Sequence, residues 1–150
     1  MKLFISTLLA AAAVLTLMGL MACSAVAPKP EPSLYTRLGG SQVLQQVVAE
    51  TVDEVATNPK TRRSFKDIKL PALKESIVNQ LCQLSGGGCE YDGETMKNSH
   101  ADAKISTAEF ELFVQVFRDA LDRHVGLREK NELLKILAPM KRDIVTAASN

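Results

Sequence analysis

The chain has 150 residues, 46% of them hydrophobic and 23% charged, which fits one folded domain and excludes a disordered chain. Its 18 Lys and Arg oppose 17 Asp and Glu, for a formal net charge of +1, so no basic field exists to hold a nucleic acid through its phosphates. Eight glycines and six prolines exclude collagen-like and low-complexity classes.

The first segment reads as an address. Residues 1–22 carry Lys2 and then an apolar stretch from Leu8 to Met21, broken only by Thr16 and Gly19. A basic start, an apolar run and small residues toward the end describe a secretory signal. A transmembrane anchor is the competing reading, since the stretch approaches a bilayer-spanning length. The run Leu20-Met21-Ala22-Cys23 resembles a bacterial lipobox, whose cysteine is lipidated and becomes the mature N-terminus, and this favours a cleaved lipoprotein signal. Residues 23–32 follow as a tether, with Pro28, Pro30 and Pro32 and no large apolar side chain, an extended spacer of about 3 Å per residue. Acyl chains on Cys23 then supply the membrane attachment. The folded part, residues 33–150, is expected to be exported and to face the periplasm.

That part reads as all-α, because apolar positions recur at three and four rather than two. Val43, Leu44, Val47, Val48, Val52 and Val55 predict a helix between Gly40 and Asn58, opened by Ser41 as cap. Leu70, Leu73, Ile77, Leu81 and Leu84 predict a second, which stops at Gly86-Gly87-Gly88. Cys82 and Cys89 flank those glycines. In an oxidising compartment a structural disulfide is the favoured reading. A tetrahedral metal site lacks nearby ligands, and the spacing is not that of a Cys-x-x-Cys redox pair.

Residues 85–104 hold four glycines and little apolar content, a long loop of the kind that often carries function. Residues 94–100 can form a short helical turn there. Phe110, Phe113, Val114, Phe117 and Leu121 predict a third helix capped by Ser106 or Thr107. Leu133, Leu134, Ile136, Leu137, Met140, Ile144 and Val145 predict a last one, kinked at Pro139. Two histidines are present. His124 falls at the end of the third helix, where the helix dipole favours it. His100 ends the short turn that folds back toward the helices.

The chain opens its domain with Leu34-Tyr35-Thr36-Arg37-Leu38-Gly39-Gly40. It continues through Gly86-Gly87, Tyr91-Asp92-Gly93, Met96-Lys97, His100, Ile105 and Phe110 to Leu137-Ala138-Pro139. This ordered series resembles the truncated haemoglobins, group I in particular, over residues 33–147. The cysteines around the second glycine run resemble an exported proteobacterial subset of that family. The resemblance implies a two-over-two helical sandwich holding a haem, with His100 binding the iron through a neutral imidazole nitrogen. Phe65 then packs on the haem face, and Leu73, Ile77, Leu81, Met96, Ile105, Phe110 and Phe113 line the pocket. A porphyrin is a large apolar disc that needs such a wall. Lys69, Lys97 and Lys104 are candidates to pair with its propionates.

The sequence departs from the family on the distal side. Val52 and Ile77 stand where group I members commonly carry a tyrosine and a glutamine, and Leu73 holds a gating position. The distal wall is therefore expected to be Val52, Leu73 and Ile77, with Thr51, Ser76 and Gln80 nearby and Ser76 turned away. A hydrogen bond to a charged acceptor contributes roughly 1.5–3 kcal/mol. Its absence predicts oxygen loss faster by about tenfold to a hundredfold.

The implied function is a haem protein that binds diatomic gas ligands (oxygen, nitric oxide, carbon monoxide) and retains oxygen weakly. One alternative is a haem-dependent redox or nitric-oxide-detoxifying enzyme, which needs an electron donor that no flavin or nicotinamide motif in the chain supplies. Another is a cofactor-free globin-fold lipoprotein that serves as an interaction module.

Overall fold

The structure, a computed structural model, describes residues 30–146. The expected signal segment, residues 1–22, the lipidation candidate Cys23 and residues 24–29 of the expected tether lie outside the described residues. Pro30, Glu31 and Pro32 are exposed and have no regular structure.

Helix α1 (Leu34–Arg37) starts at Ser33, whose hydroxyl accepts the Thr36 N–H at 3.2 Å. It buries Leu34, and Leu38 just after it is also buried. The chain then turns at Gly39, with φ +96°, a conformation that favours glycine. A Cβ there would come within 2.5 Å of Val43 Cγ2. Gly39 is thereby the N-cap of α2 (Gly40–Thr57). Ser41, expected as that cap, lies inside the helix and accepts a hydrogen bond from Gln45 Nε2 at 3.0 Å.

Helix α2 buries Leu44, Val47, Val48, Thr51, Val52 and Val55, close to the predicted stripe. It packs against both α3 (Leu70–Leu84) and α5 (Thr107–His124). A 3-10 turn, Arg62–Phe65, joins α2 to α3. The short helix α4 (Met96–His100) stands in the long loop where a helical turn was expected, and Thr95 caps it. Of the two candidate caps for α5, Ser106 is the cap. Its hydroxyl accepts the Glu109 N–H, and the Glu109 carboxylate accepts the Ser106 N–H, a reciprocal capping box.

The last predicted helix divides. Helix α6 (Leu127–Leu137) ends before Pro139, a 3-10 turn spans Ala138–Met140, and α7 (Lys141–Ile144) follows. Proline has no N–H to donate to the preceding turn, so here it separates two helices rather than kinking one. Helix α6 packs on α5 and α1, and α7 packs on α4. The arrangement is α2 with α3 against α5 with α6, the expected pair of helical layers. Leu44, Val47, Val52, Leu121 and Leu133 are fully buried at the centre, each contributing about 1.5–3 kcal/mol of hydrophobic stabilisation.

Two ties hold the ends of this core. Cys82 at the end of α3 is disulfide-bonded to Cys89, with a Cα–Cα distance of 5.7 Å. Gly87 fits against that bridge: a Cβ would lie 2.5 Å from Cys82 Sγ and 2.7 Å from the Tyr35 ring. At the other end, Thr146 N–H donates to the Ile105 carbonyl at 3.1 Å, beside an isolated bridge between Ile105 and Val145. That contact brings Val145 and Thr146 beside the segment that follows His100.

Candidate functional site

Between the two layers lies a cavity of about 540 Å³, within the roughly 300–1,000 Å³ common for small-molecule and cofactor sites. Helix α2 contributes Val52, and the 3-10 turn contributes Phe65. Helix α3 contributes Leu73, Ile77 and Leu81, and α4 contributes Met96 and His100. Ile105 from the connecting segment and Phe110 and Phe113 from α5 complete the wall. The ten residues singled out from the sequence are thus brought together around one space. Cys82 and Cys89, the predicted disulfide pair, are bonded to each other at the end of α3 and lie off the cavity lining.

His100 is held in a defined orientation. Its Nδ1 lies 2.8 Å from the Met96 carbonyl, one helical turn back. A carbonyl can only accept, so Nδ1 carries the hydrogen. In the neutral ring this leaves Nε2 with the lone pair, the arrangement by which a histidine is oriented toward a metal. The Ser99 hydroxyl, 2.9 Å from the same Nδ1, donates to the Thr95 carbonyl at 2.9 Å and so can accept from Nδ1 as well. Nε2 makes no hydrogen bond to the described residues, and His100 lines the cavity. His124, by contrast, ends α5 and bonds Glu50 at 2.7 Å, where Arg123 also reaches the same carboxylate. Those two partners, Arg123 first and then His124, hold Glu50 below the usual carboxylate range.

The polar groups of the wall are mostly engaged. Thr51 and Thr61 are buried and donate to the Val47 and Val55 carbonyls at 2.7 and 2.6 Å. Gln80 Nε2 lies 3.8 Å from the Met96 sulfur. Ser76, expected to be turned away, lines the cavity with Gln80, one helical turn further on the same face. Its place shows that the polar edge of α3 reaches the cavity, which the apolar stripe alone did not indicate.

One charged pair reaches the wall through its Glu109 member, and it was not read from the sequence. Arg63 reaches Glu109 at 2.5 Å and the Lys104 carbonyl at 2.8 Å, and the Ser64 hydroxyl donates to Glu109 at 3.3 Å. Burial raises the Glu109 pKa, but hydrogen bonds from Arg63 and Ser106 outweigh it and hold the carboxyl below its usual range. The capping-box spacing of Ser106 and Glu109 was the only available signal, and it reads as helix initiation. Cations on the wall are Arg118 and Lys141. Lys69, Lys97 and Lys104, the sequence candidates for propionate partners, are exposed and lie off it.

Residues 33–146 match the family described as bacterial-like globin. The chain belongs to that family. This globin is 27% identical over 96 residues to a group 1 truncated haemoglobin from Nostoc commune, an alignment covering 64% of this chain and 75% of the relative. A similar protein from Nostoc sp. is 27% identical over 94 residues, covering 63% and 73%. Among solved structures, the truncated haemoglobin of Tetrahymena pyriformis superposes with a TM-score of 0.71 at 20% identity, covering 76% of this chain and 98% of that one. The 2/2 haemoglobin of Synechococcus sp. PCC 7002, solved with covalently attached haem, gives 0.70 at 19% identity, with coverage of 76% and 98%. The fold of this globin is therefore the two-over-two helical sandwich of the truncated haemoglobins.

Proposed function

We propose that this globin binds haem in the cavity, with His100 as the protein's ligand to the iron. The observation that carries the proposal is a histidine fixed through Nδ1, with Nε2 making no hydrogen bond to the described residues, on the wall of an apolar space of cofactor size. The residues fit the group. Phe65, Phe110 and Phe113 offer ring faces and edges to a flat apolar disc, and Leu73, Ile77 and Leu81 form an aliphatic side. Arg118 and Lys141 are the wall's cations and are the residues here that would meet propionate carboxylates.

Haem, when bound, would supply an iron able to take a diatomic gas, with His100 holding it on one side and the aliphatic wall on the other. The chain's own contribution on that side is Val52, Leu73 and Ile77. None of them donates a hydrogen bond, and the hydroxyls of Thr51 and Thr61 are committed to backbone carbonyls. We read this as a site that favours ligands indifferent to a donor, carbon monoxide and nitric oxide, over oxygen. Ser76 and Gln80 are the polar side chains that α3 adds to the wall, on the helix that also carries Leu73 and Ile77. Stopped-flow release of oxygen and of carbon monoxide from the ferrous protein tests this. Fast oxygen loss that Ser76→Ala and Gln80→Ala leave unchanged is expected. Slow loss abolished by either substitution contradicts it.

We further propose attachment to a membrane through a lipid on Cys23, with the globin facing the periplasm. The reading rests on the Leu20-Met21-Ala22-Cys23 run and the proline-bearing spacer. Intact mass of the protein from its native membrane distinguishes an acylated Cys23 N-terminus from an uncleaved one.

A further inference from the structure

We propose that Arg63 is a positioning residue: it latches the wall bearing Phe65 to the wall bearing His100 and so sets how long the cofactor stays bound. The inference rests on the haem-binding reading above. Arg63 stands two residues before Phe65 in the 3-10 turn, on one side of the cavity. Its guanidinium spans to the Lys104 carbonyl at 2.8 Å, the Ala103 carbonyl at 3.4 Å and the Glu109 carboxylate at 2.5 Å. Ala103 itself donates its N–H to the His100 carbonyl at 3.1 Å. One side chain thus joins the segment before Phe65 to the segment that leaves the proximal histidine.

The latch backs the cavity wall: Arg63 itself is half-exposed and off the lining, while its neighbour Ser64 and its partners Ala103 and Glu109 all line that space. Both latched segments also carry a non-glycine residue at positive φ, Asp67 at 63° and Lys104 at 49°. Such residues persist where their surroundings hold them. The planar guanidinium suits this geometry, since it can serve two carbonyls and a carboxylate at once, whereas a lysine ammonium acts as a single point of charge. With the latch gone, Glu109 would remain against the cavity with Ser106 and Ser64 as its partners, and the loop at 101–106 would lose the two carbonyl bonds by which Arg63 ties it to the 3-10 turn. Local opening of that edge offers the bound disc a way out.

Transfer of haem from the full chain to an excess of a haem-scavenging apoprotein measures the residence time. Arg63→Ala is expected to speed transfer by about tenfold to a hundredfold, and Arg63→Lys by less. Leu133→Ala is the control, since Leu133 is fully buried in the core but lies off the cavity wall. It should lower the melting temperature of the apoprotein as much or more while leaving transfer near the wild-type rate. Equal rates for wild type and Arg63→Ala overturn the latch and leave the haem reading intact. Acceleration by Leu133→Ala as large as by Arg63→Ala also overturns it, since general destabilisation then explains both. A wild-type chain that takes up no haem overturns the haem reading itself, and the latch with it.

Discussion

The Met96 carbonyl fixes the ring of His100 by accepting its Nδ1–H at 2.8 Å across one turn of α4. A helix of only five residues therefore sets which nitrogen of the chain's cavity-lining imidazole can act as a ligand. Thr95 caps that helix by accepting the Asn98 N–H at 3.2 Å. Tyr91, just upstream, donates to the Glu94 carbonyl at 2.9 Å. Local hydrogen bonds thus prepare the histidine in a loop that has little apolar content of its own.

Val52 is fully buried on α2 and lines the cavity. Val52→Tyr adds a hydroxyl donor to an aliphatic wall and should slow oxygen release by about tenfold to a hundredfold. Oxygen-release kinetics of the reconstituted variant check this, with the absorption spectrum confirming that the larger ring has not displaced the haem. An unchanged rate removes Val52 from the distal wall.

The disulfide joins Cys82 and Cys89, seven positions apart, around a glycine packed on Tyr35. Closing so short a loop stabilises the fold by about 2–3 kcal/mol in the chain-entropy account. The double variant Cys82→Ser/Cys89→Ser should lose that much in urea titrations, and reduction of the wild type should bring it to a similar midpoint.

Leu121 is fully buried and belongs to the central core cluster. Leu121→Ala should cost about 2–5 kcal/mol, the range for a buried leucine whose cavity only partly collapses. Loss below 1 kcal/mol, again by urea titration (about a fifth of the upper figure), would mean that the helices repack freely.

Glu109 gives a pH signature with a definite sign. Its pKa in the folded chain is below the ordinary 4.5, so its stabilising contribution is fully present above that value. It is lost as the pH falls through the lowered one. Arg63→Ala, which removes an ion-pair partner exposed by about half, should cost about 1–2 kcal/mol near neutrality. The gap from wild type should shrink below pH 4.5, as measured by denaturation at about pH 7 and about pH 3.5. A gap that widens on acidification contradicts the pairing.

Much of this was legible in the sequence, for physical reasons that differ by element. The stripe Val43 to Val55 announced α2 because one face of a helix must be apolar to pack on two neighbours. Ser106 or Thr107 marked the start of α5 because a helix end needs a side-chain acceptor for its free N–H groups, and Ser106 is the one that caps. The Ser41 cap was misplaced because Gly39 reaches a positive φ that no side-chain pattern encodes. Ser76 was misplaced because a stripe gives the centre of a face and not its edge. The Arg63–Glu109 latch joins residues 46 positions apart, and no local periodicity brings those together. For the same reason Arg118 and Lys141 were passed over as wall cations in favour of Lys69, Lys97 and Lys104.

The central claim concerns His100 and is tested most directly by haemin titration of the full chain and of His100→Ala. The wild type should saturate at one haem per chain with an intense Soret band. The variant should lose that band or shift it, and added imidazole, which can occupy the vacated space, should restore the wild-type spectrum. Saturation with an identical spectrum in the variant, or no Soret band in the wild type, would contradict the account.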